Sequence, residues 1–186
     1  MPNPLINTSS IYVTTESTKA TYSAGFNLSS FAVGATDVFQ LIGSSSKVIR
    51  ITRVQITADA TAVSAFNIAG VKRTVANTGG TAVAISPTRH DSLDNAPTAT
   101  IQYYTANPSA LGTGTIIRLD ATALPAATGT GYPFTPTVWD FGARPATCIV
   151  LRGTGESFCV NLQSFAAAQT IPAGLSMFID IEWTEE

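Results

Sequence analysis

The stretch Leu175-Ser176-Met177-Phe178-Ile179-Asp180-Ile181-Glu182-Trp183-Thr184 decides the fold class. Leu175, Met177, Ile179, Ile181 and Trp183 alternate with Ser176, Phe178, Asp180, Glu182 and Thr184. A period of two puts one set on a core and the other toward solvent, the pattern of a half-buried antiparallel strand. So regular a strand is expected to be central or well covered, because as an open edge it would invite aggregation.

Upstream, short strand-like runs recur between turn clusters, as in a sandwich or barrel, and no helical periodicity is sustained. Val38-Phe39-Gln40-Leu41-Ile42 stops at Gly43-Ser44-Ser45-Ser46, and a long strand is predicted from Lys47 to Thr57. Within it Ile49 and Ile51 share one parity while Val54 and Ile56 share the other, so the phase shifts near Thr52-Arg53. A β-bulge or a switch between sheets would produce that shift. Ala65 to Ala69 and Val71 to Val75 read as strands separated by Gly70, and Thr98 to Thr105 and Thr113 to Asp120 as two more. Ala146 to Arg152 and Ser157 to Gln163 flank Gly153-Thr154-Gly155-Glu156, which reads as a tight hairpin. Its pairing would set Ile149, Leu151, Phe158, Val160 and Leu162 on one face, and Cys148, Val150, Arg152, Ser157, Cys159 and Asn161 on the other.

Residues 1 to 35 form a separate tract, an extended N-terminal arm or a first strand plus loop, and residues 36 to 186 form the sandwich domain. Two polar intervals, Ser86 to Pro97 and Ala123 to Pro136, are surface loops of the kind that carries recognition on a rigid scaffold. Candidate partner-binding residues are Pro2, Pro4, Leu5 and Ile6 in the arm, Arg89 and His90 in the first loop, and Tyr132 and Phe134 in the second.

Reactive chemistry is sparse. The 186 residues contain one histidine, two cysteines and 12% charged residues. His90-Asp91-Ser92 is the one place a hydrolase could be imagined, but neighbours on one loop seldom make a triad and no Gly-x-Ser-x-Gly elbow is present. A lone histidine does not furnish the converging ligands of a zinc or non-haem iron site, and Asp91 and Asp94 lack the spacing of a calcium loop. No pair of carboxylates stands out for glycoside hydrolysis. The expectation is a non-enzyme without metal or cofactor. Cys148 and Cys159 are expected as free thiols, although a cross-strand disulfide in the predicted hairpin is conceivable. Tyr103, Tyr104, Tyr132, Phe134 and Trp139 are candidates for a sugar-binding platform, against the usual place of strand aromatics in a core. Asn7-Thr8-Ser9 and Asn27-Leu28-Ser29 match the glycosylation triplet but read as ordinary polar turns.

A domain of this length buries roughly 70% of its unfolded surface, so the core needs no staple. Net charge −2 with scattered basic residues argues against nucleic acid and anionic membrane as partners. The N-terminus shows no basic region followed by a long apolar segment, so no export signal is expected. A hydrophobic fraction of 45% beside so little charge suggests that part of the surface is covered by other subunits.

Lys47-Val48-Ile49-Arg50-Ile51, Gly114-Thr115-Ile116-Ile117-Arg118-Leu119, Ile171-Pro172-Ala173-Gly174-Leu175 and Phe178-Ile179-Asp180-Ile181-Glu182-Trp183 together resemble the jelly-roll decoration or cement proteins of tailed bacteriophages. The likeness spans residues 35 to 186 in general pattern, and the Pro-Ala-Gly turn before the last strand is similar to that of many trimeric jelly rolls, tumour-necrosis-factor-like folds included. It implies an antiparallel jelly-roll-type β-sandwich that assembles as a homotrimer on the major capsid protein of a virion, made in the host cytoplasm, with the arm reaching to the shell. A tail or fibre module that binds a host receptor or carbohydrate is the main alternative, and a cellular β-sandwich binding module the third.

Overall fold

The computed structural model describes residues 19–32, 34–61, 64–124, 136–143, 147–162 and 171–186. These build a sandwich of two antiparallel sheets of six strands each. The front sheet runs β10 (Ile149–Arg152), β3 (Val48–Asp59), β12 (Ser176–Glu185), β1 (Ala20–Leu28), β6 (Thr88–Arg89), with β9 (Thr137–Asp140) also on β3. The back sheet runs β5 (Thr81–Ala84), β7 (Thr100–Ala106), β2 (Asp37–Ile42), β11 (Ser157–Asn161), β4 (Ser64–Arg73), β8 (Gly114–Leu124).

Alternation explains the core. Tyr22, Ile51, Val54, Ile179, Ile181 and Trp183 of the front sheet face Phe39, Leu41, Ile68, Ile101, Phe158 and Val160 of the back, all buried. Each such side chain contributes about 1.5–3 kcal/mol by leaving water. Tyr22 lies opposite Trp183 in the register, and their rings stack at 5.8 Å. As its pattern requires, β12 is central, held between β1 and β3 along nearly its whole length.

The phase shift in β3 is a bulge. Glu182 pairs with Arg53 and Trp183 with Ile51, so Thr52 has no partner on β12. Thr52 Oγ1 instead donates to Glu182 O at 3.1 Å, and Thr52 O accepts the Phe141 N–H at 2.7 Å. On its other edge β3 changes partner at the same residue, from β10 along 48–51 to β9 along 53–56.

Four sequence expectations are corrected. Gly153 to Glu156 makes a tight turn, with Gly153 at φ +71°, but the strands on either side belong to different sheets. β10 finds β3, whereas β11 fills the slot between β2 and β4, because two central neighbours satisfy more backbone than a hairpin would. The crossing is pinned where Gly43 N donates to Glu156 O at 2.9 Å; a Cβ on Gly43 would lie 2.5 Å from Gly153 O. In consequence Cys148 and Cys159 are both free, on segments that lead into separate sheets. Gly70 does not interrupt a strand. β4 runs through it, and the missing side chain lets Trp139 and Phe158 close over it, since a Cβ would sit 3.0–3.1 Å from both rings. Finally, the loop from Ser86 to Pro97 carries the short β6 on β1, and Asn27 belongs to β1 rather than to a turn.

Set aside β5, β6, β7 and β9, and the remaining eight strands, renumbered in chain order, lie 6-3-8-1 in front and 2-7-4-5 behind. Every connection among them crosses between the sheets except the one from β4 to β8. Of residues 1 to 35, read as an arm or a first strand plus loop, Ala20–Leu28 form β1 inside the front sheet, and residues 1–18 lie outside the described residues.

Candidate functional site

Of the candidate residues, Pro2, Pro4, Leu5, Ile6, Tyr132 and Phe134 lie outside the described residues. Arg89 and His90 are exposed at β6, at the rim of the front sheet. The Arg89 guanidinium reaches back to Asp94 O at 2.7 Å, the His90 N–H donates to Thr21 O at 2.9 Å, and the Asp91 carboxylate accepts the Leu93 N–H at 2.9 Å. The loop is therefore tied down by its own groups and leaves the Leu93 side chain in solvent. Tyr22 braces it from below, donating its hydroxyl to Asn95 O at 2.8 Å; burial, then Glu185 and Asp94, push that phenol up.

The proposed aromatic platform is not assembled from its described members. Tyr103 stacks on Phe26 at 5.7 Å and packs against the core, while Tyr104 and Trp139 are buried. Tyr104 donates to Gln40 Oε1 at 2.6 Å and the Trp139 indole to Asp120.

Two outward faces remain, and they differ sharply. Behind the back sheet the segments around Thr74–Thr78 and Ala110–Thr113 pair with each other through Thr74 N to Thr113 O and a two-way Thr78–Ala110 bridge. Beneath them Asp37, fully buried, accepts four hydrogen bonds: from Arg73 Nε at 2.5 Å and Nη2 at 2.6 Å, Asn77 Nδ2 at 2.7 Å and Asn161 Nδ2 at 2.6 Å. Arg73 spends a further donor on Gly112 O at 2.5 Å. Burial opposes the Arg73 charge, but the hydrogen bonds and attraction of Asp37 outweigh it and its pKa is raised. Cys159 beside them is buried, and burial followed by the Asp37 charge pushes its thiol well up, so it stays protonated. No spacing in the sequence announces this network, whose members come from β2, β4, β11 and a loop.

At the end of the same sheet stands β8, paired among the described residues with β4 alone. Arg118 pairs with Gly70 and Ile116 with Val71, so Ile117 is skipped. That bulge turns both Ile116 and Leu119 outward, 41% and 49% exposed. The C-terminal half of β8 is fastened across to the front sheet through Asp120 to Trp139 and Thr122 to Thr137. Among the described residues the half from Gly114 to Leu119 is an open edge with apolar side chains, the kind of surface that associates.

In front, β1, β12 and β3 present rows of paired residues to solvent: Ser23–Glu182–Arg53, Gly25–Asp180–Gln55 and Asn27–Phe178–Thr57. Phe178 is 48% exposed in the middle of this face, beside a shallow groove of ≈ 380 Å³. Sequence alternation put Phe178 on the solvent side, yet nothing in the alternation says that β1 would add Gly25 and Asn27 to its flank. Among the described residues no group of three or more His, Cys, Asp or Glu is placed to hold a metal ion.

Comparison with protein-family models, with curated proteins and with solved structures returns no match.

Proposed function

We propose that this chain is a structural, non-enzymatic jelly-roll subunit that decorates the head of a tailed phage, seated on the major capsid protein as a homotrimer. The order 6-3-8-1 against 2-7-4-5 supports the jelly-roll reading, since it interleaves two Greek keys across two sheets, the plan of many capsid and lectin domains. The observation that carries the assembly reading is the open edge of β8. An outward Ile116 and Leu119 on a strand with one edge open among the described residues are costly to leave in water, and a second copy or a shell protein would cover them. An N-terminal arm ahead of β1, as read from the sequence, would add contact with the shell without a core of its own, and linked copies on a symmetric lattice would turn modest contacts into avidity.

Quantitative mass spectrometry of purified particles tests this by counting copies per major shell protein. Hundreds of copies, lost when Ile116 and Leu119 are both replaced by Asp in a still-folded protein, are expected. A handful would place the chain on a tail or fibre, and complete absence would overturn the virion reading.

A further inference from the structure

We propose that the outward face of the front sheet is a saccharide-binding groove, in which the Phe178 ring takes the C–H face of a pyranose while Asp180, Asn27 and Gln55 take its hydroxyls. The groove lies on the opposite side of the sandwich from Ile116 and Leu119, and the inference goes beyond the assembly reading.

Gly25 is the starting point. It sits mid-strand in β1, where glycine is unfavourable because it loses the most backbone freedom and packs nothing. A fold has two internal reasons to accept that: a left-handed backbone, or no room for a Cβ. Neither applies here. Its φ is not in the left-handed region, unlike those of Gly34, Gly79, Gly80, Gly153 and Gly174. A Cβ would meet only Asp180 Oδ1 at 3.7 Å, an ordinary contact, whereas at Gly112 it would collide with the Val75 carbonyl. The space above Gly25 is open, and a bare strand position with open space fits close approach by something from outside the chain.

The walls of that space define what approaches. The groove of ≈ 380 Å³ lies within the range of small-ligand sites, about 300–1,000 Å³. Its floor is the three-strand centre of the front sheet, so its side chains stand on rigid backbone. Among the described residues, the side chains of Asn27, Thr57 and Asp180 form no hydrogen bond or ion pair with the rest of the chain, although each stands in the groove wall. Gln55 uses its carbonyl oxygen on Arg53 and keeps its amide N–H groups. Arg53, beside Gln55 on β3, is already shared between Gln55 and Glu182, and no Lys or Arg lines the groove among the described residues. A free carboxylate and, among the described residues, no cation in the lining disfavour a phosphate or sulfate ligand, and a purely apolar ligand would strip water from Asp180 without replacing it. A neutral ring with one apolar face and several hydroxyl donors matches both the exposed aromatic and the uncommitted acceptors. Because the groove is shallow, a single site would bind weakly, at millimolar level, and copies arrayed on a particle would bind by avidity.

Saturation-transfer NMR on the purified protein tests this, with methyl α-glucopyranoside, methyl α-mannopyranoside, methyl β-galactopyranoside, N-acetylglucosamine and rhamnose as probes at millimolar concentration. Transfer to the ring C–H protons of at least one probe is expected, abolished in Phe178→Ala. The second variant, Gly25→Thr, fills the notch with a residue that favours strands, so it should melt at or above the parent temperature and still lose the transfer. No transfer to any probe from the parent protein overturns the proposal, as does transfer that survives either folded variant. If instead Gly25→Thr dissociates an oligomer and no probe receives transfer, the face is a protein interface and the proposal fails.

Discussion

The outward faces of the two sheets solve the same problem in opposite ways. In front, β12 alternates between core and solvent from Ser176 to Thr184, so Ser176, Asp180 and Glu182 keep access to water, and only Glu185 at its end is buried, where it accepts from Thr98, Ala99 and Trp183. Behind, every residue of β11 is buried, because loops roof the side of the sheet that faces away from the core. Once water is excluded, Ser157, Cys159 and Asn161 need partners from the protein, and Asp37 with Arg73 supplies the centre of that second, polar layer. The outward side of the back sheet therefore depends on a complete set of hydrogen bonds, whereas the middle of the front sheet depends mainly on the parity of its apolar residues.

The largest effect tests that parity. Ile181→Asp sets an unpaired carboxylate in the core at the central strand, a loss of several kcal/mol against a total of about 5–15 for a domain, so no cooperative thermal transition should remain. A soluble, cooperatively melting Ile181→Asp protein would show that the front sheet does not depend on β12 as argued. Next comes the contrast itself. Asp37→Ala strands a buried guanidinium and two amides and should cost about 3–5 kcal/mol in urea unfolding, whereas Asp180→Ala on the wet face should stay within about 0.5 kcal/mol of the parent. Equal losses from the two would erase the distinction. Smallest is an ion pair at the rim of the front sheet. Hydrogen bonds from Lys19 and then Arg50 hold the Glu186 carboxyl below its usual 4.5. A depressed folded pKa gives stability that is present above pH 4.5 and lost as pH falls through the folded value. Glu186→Gln should flatten the acid limb of the stability curve by less than about 1 kcal/mol, since the pair is partly exposed.

How far sequence carries depends on the same contrast. In β12 and β3 one face is wet, so period two and its break at Thr52 are written directly in residue type, and both the strand and the bulge are legible. β11 is legible on its core side, where Phe158, Val160 and Leu162 are buried as expected, but its other side is not. Small polar residues such as Ser157 and Asn161 read as solvent-facing when their partners, Gln40 and Asp37, stand on a strand far away in sequence. The turn at Gly153 to Glu156 shows a related limit. Glycine chemistry fixes the local bend, while the partner of each arm is set by which sheet has an unfilled slot. Of the candidate contact residues, Arg89 and His90 were legible as a surface loop. Gly25, Asn27 and Phe178 were not legible as a group, because only the pairing of β1 with β12 makes them neighbours.

The central place of β12 also governs how the molecule comes into being. β1 and β3 have no lasting partner in the front sheet's middle until residues 176–185 lie between them. During synthesis the ribosome delivers those residues after the other described strands, so the growing chain carries two open edges until β12 emerges. Pairing Ala20 with Glu185 closes a very long loop, which places folding in the slow, millisecond-to-second class of non-local β topologies. A chain stopped short of Ser176 would keep the back sheet's residues but lose the strand that joins the front, and chaperones would meet it as an unfinished surface rather than as a smaller protein.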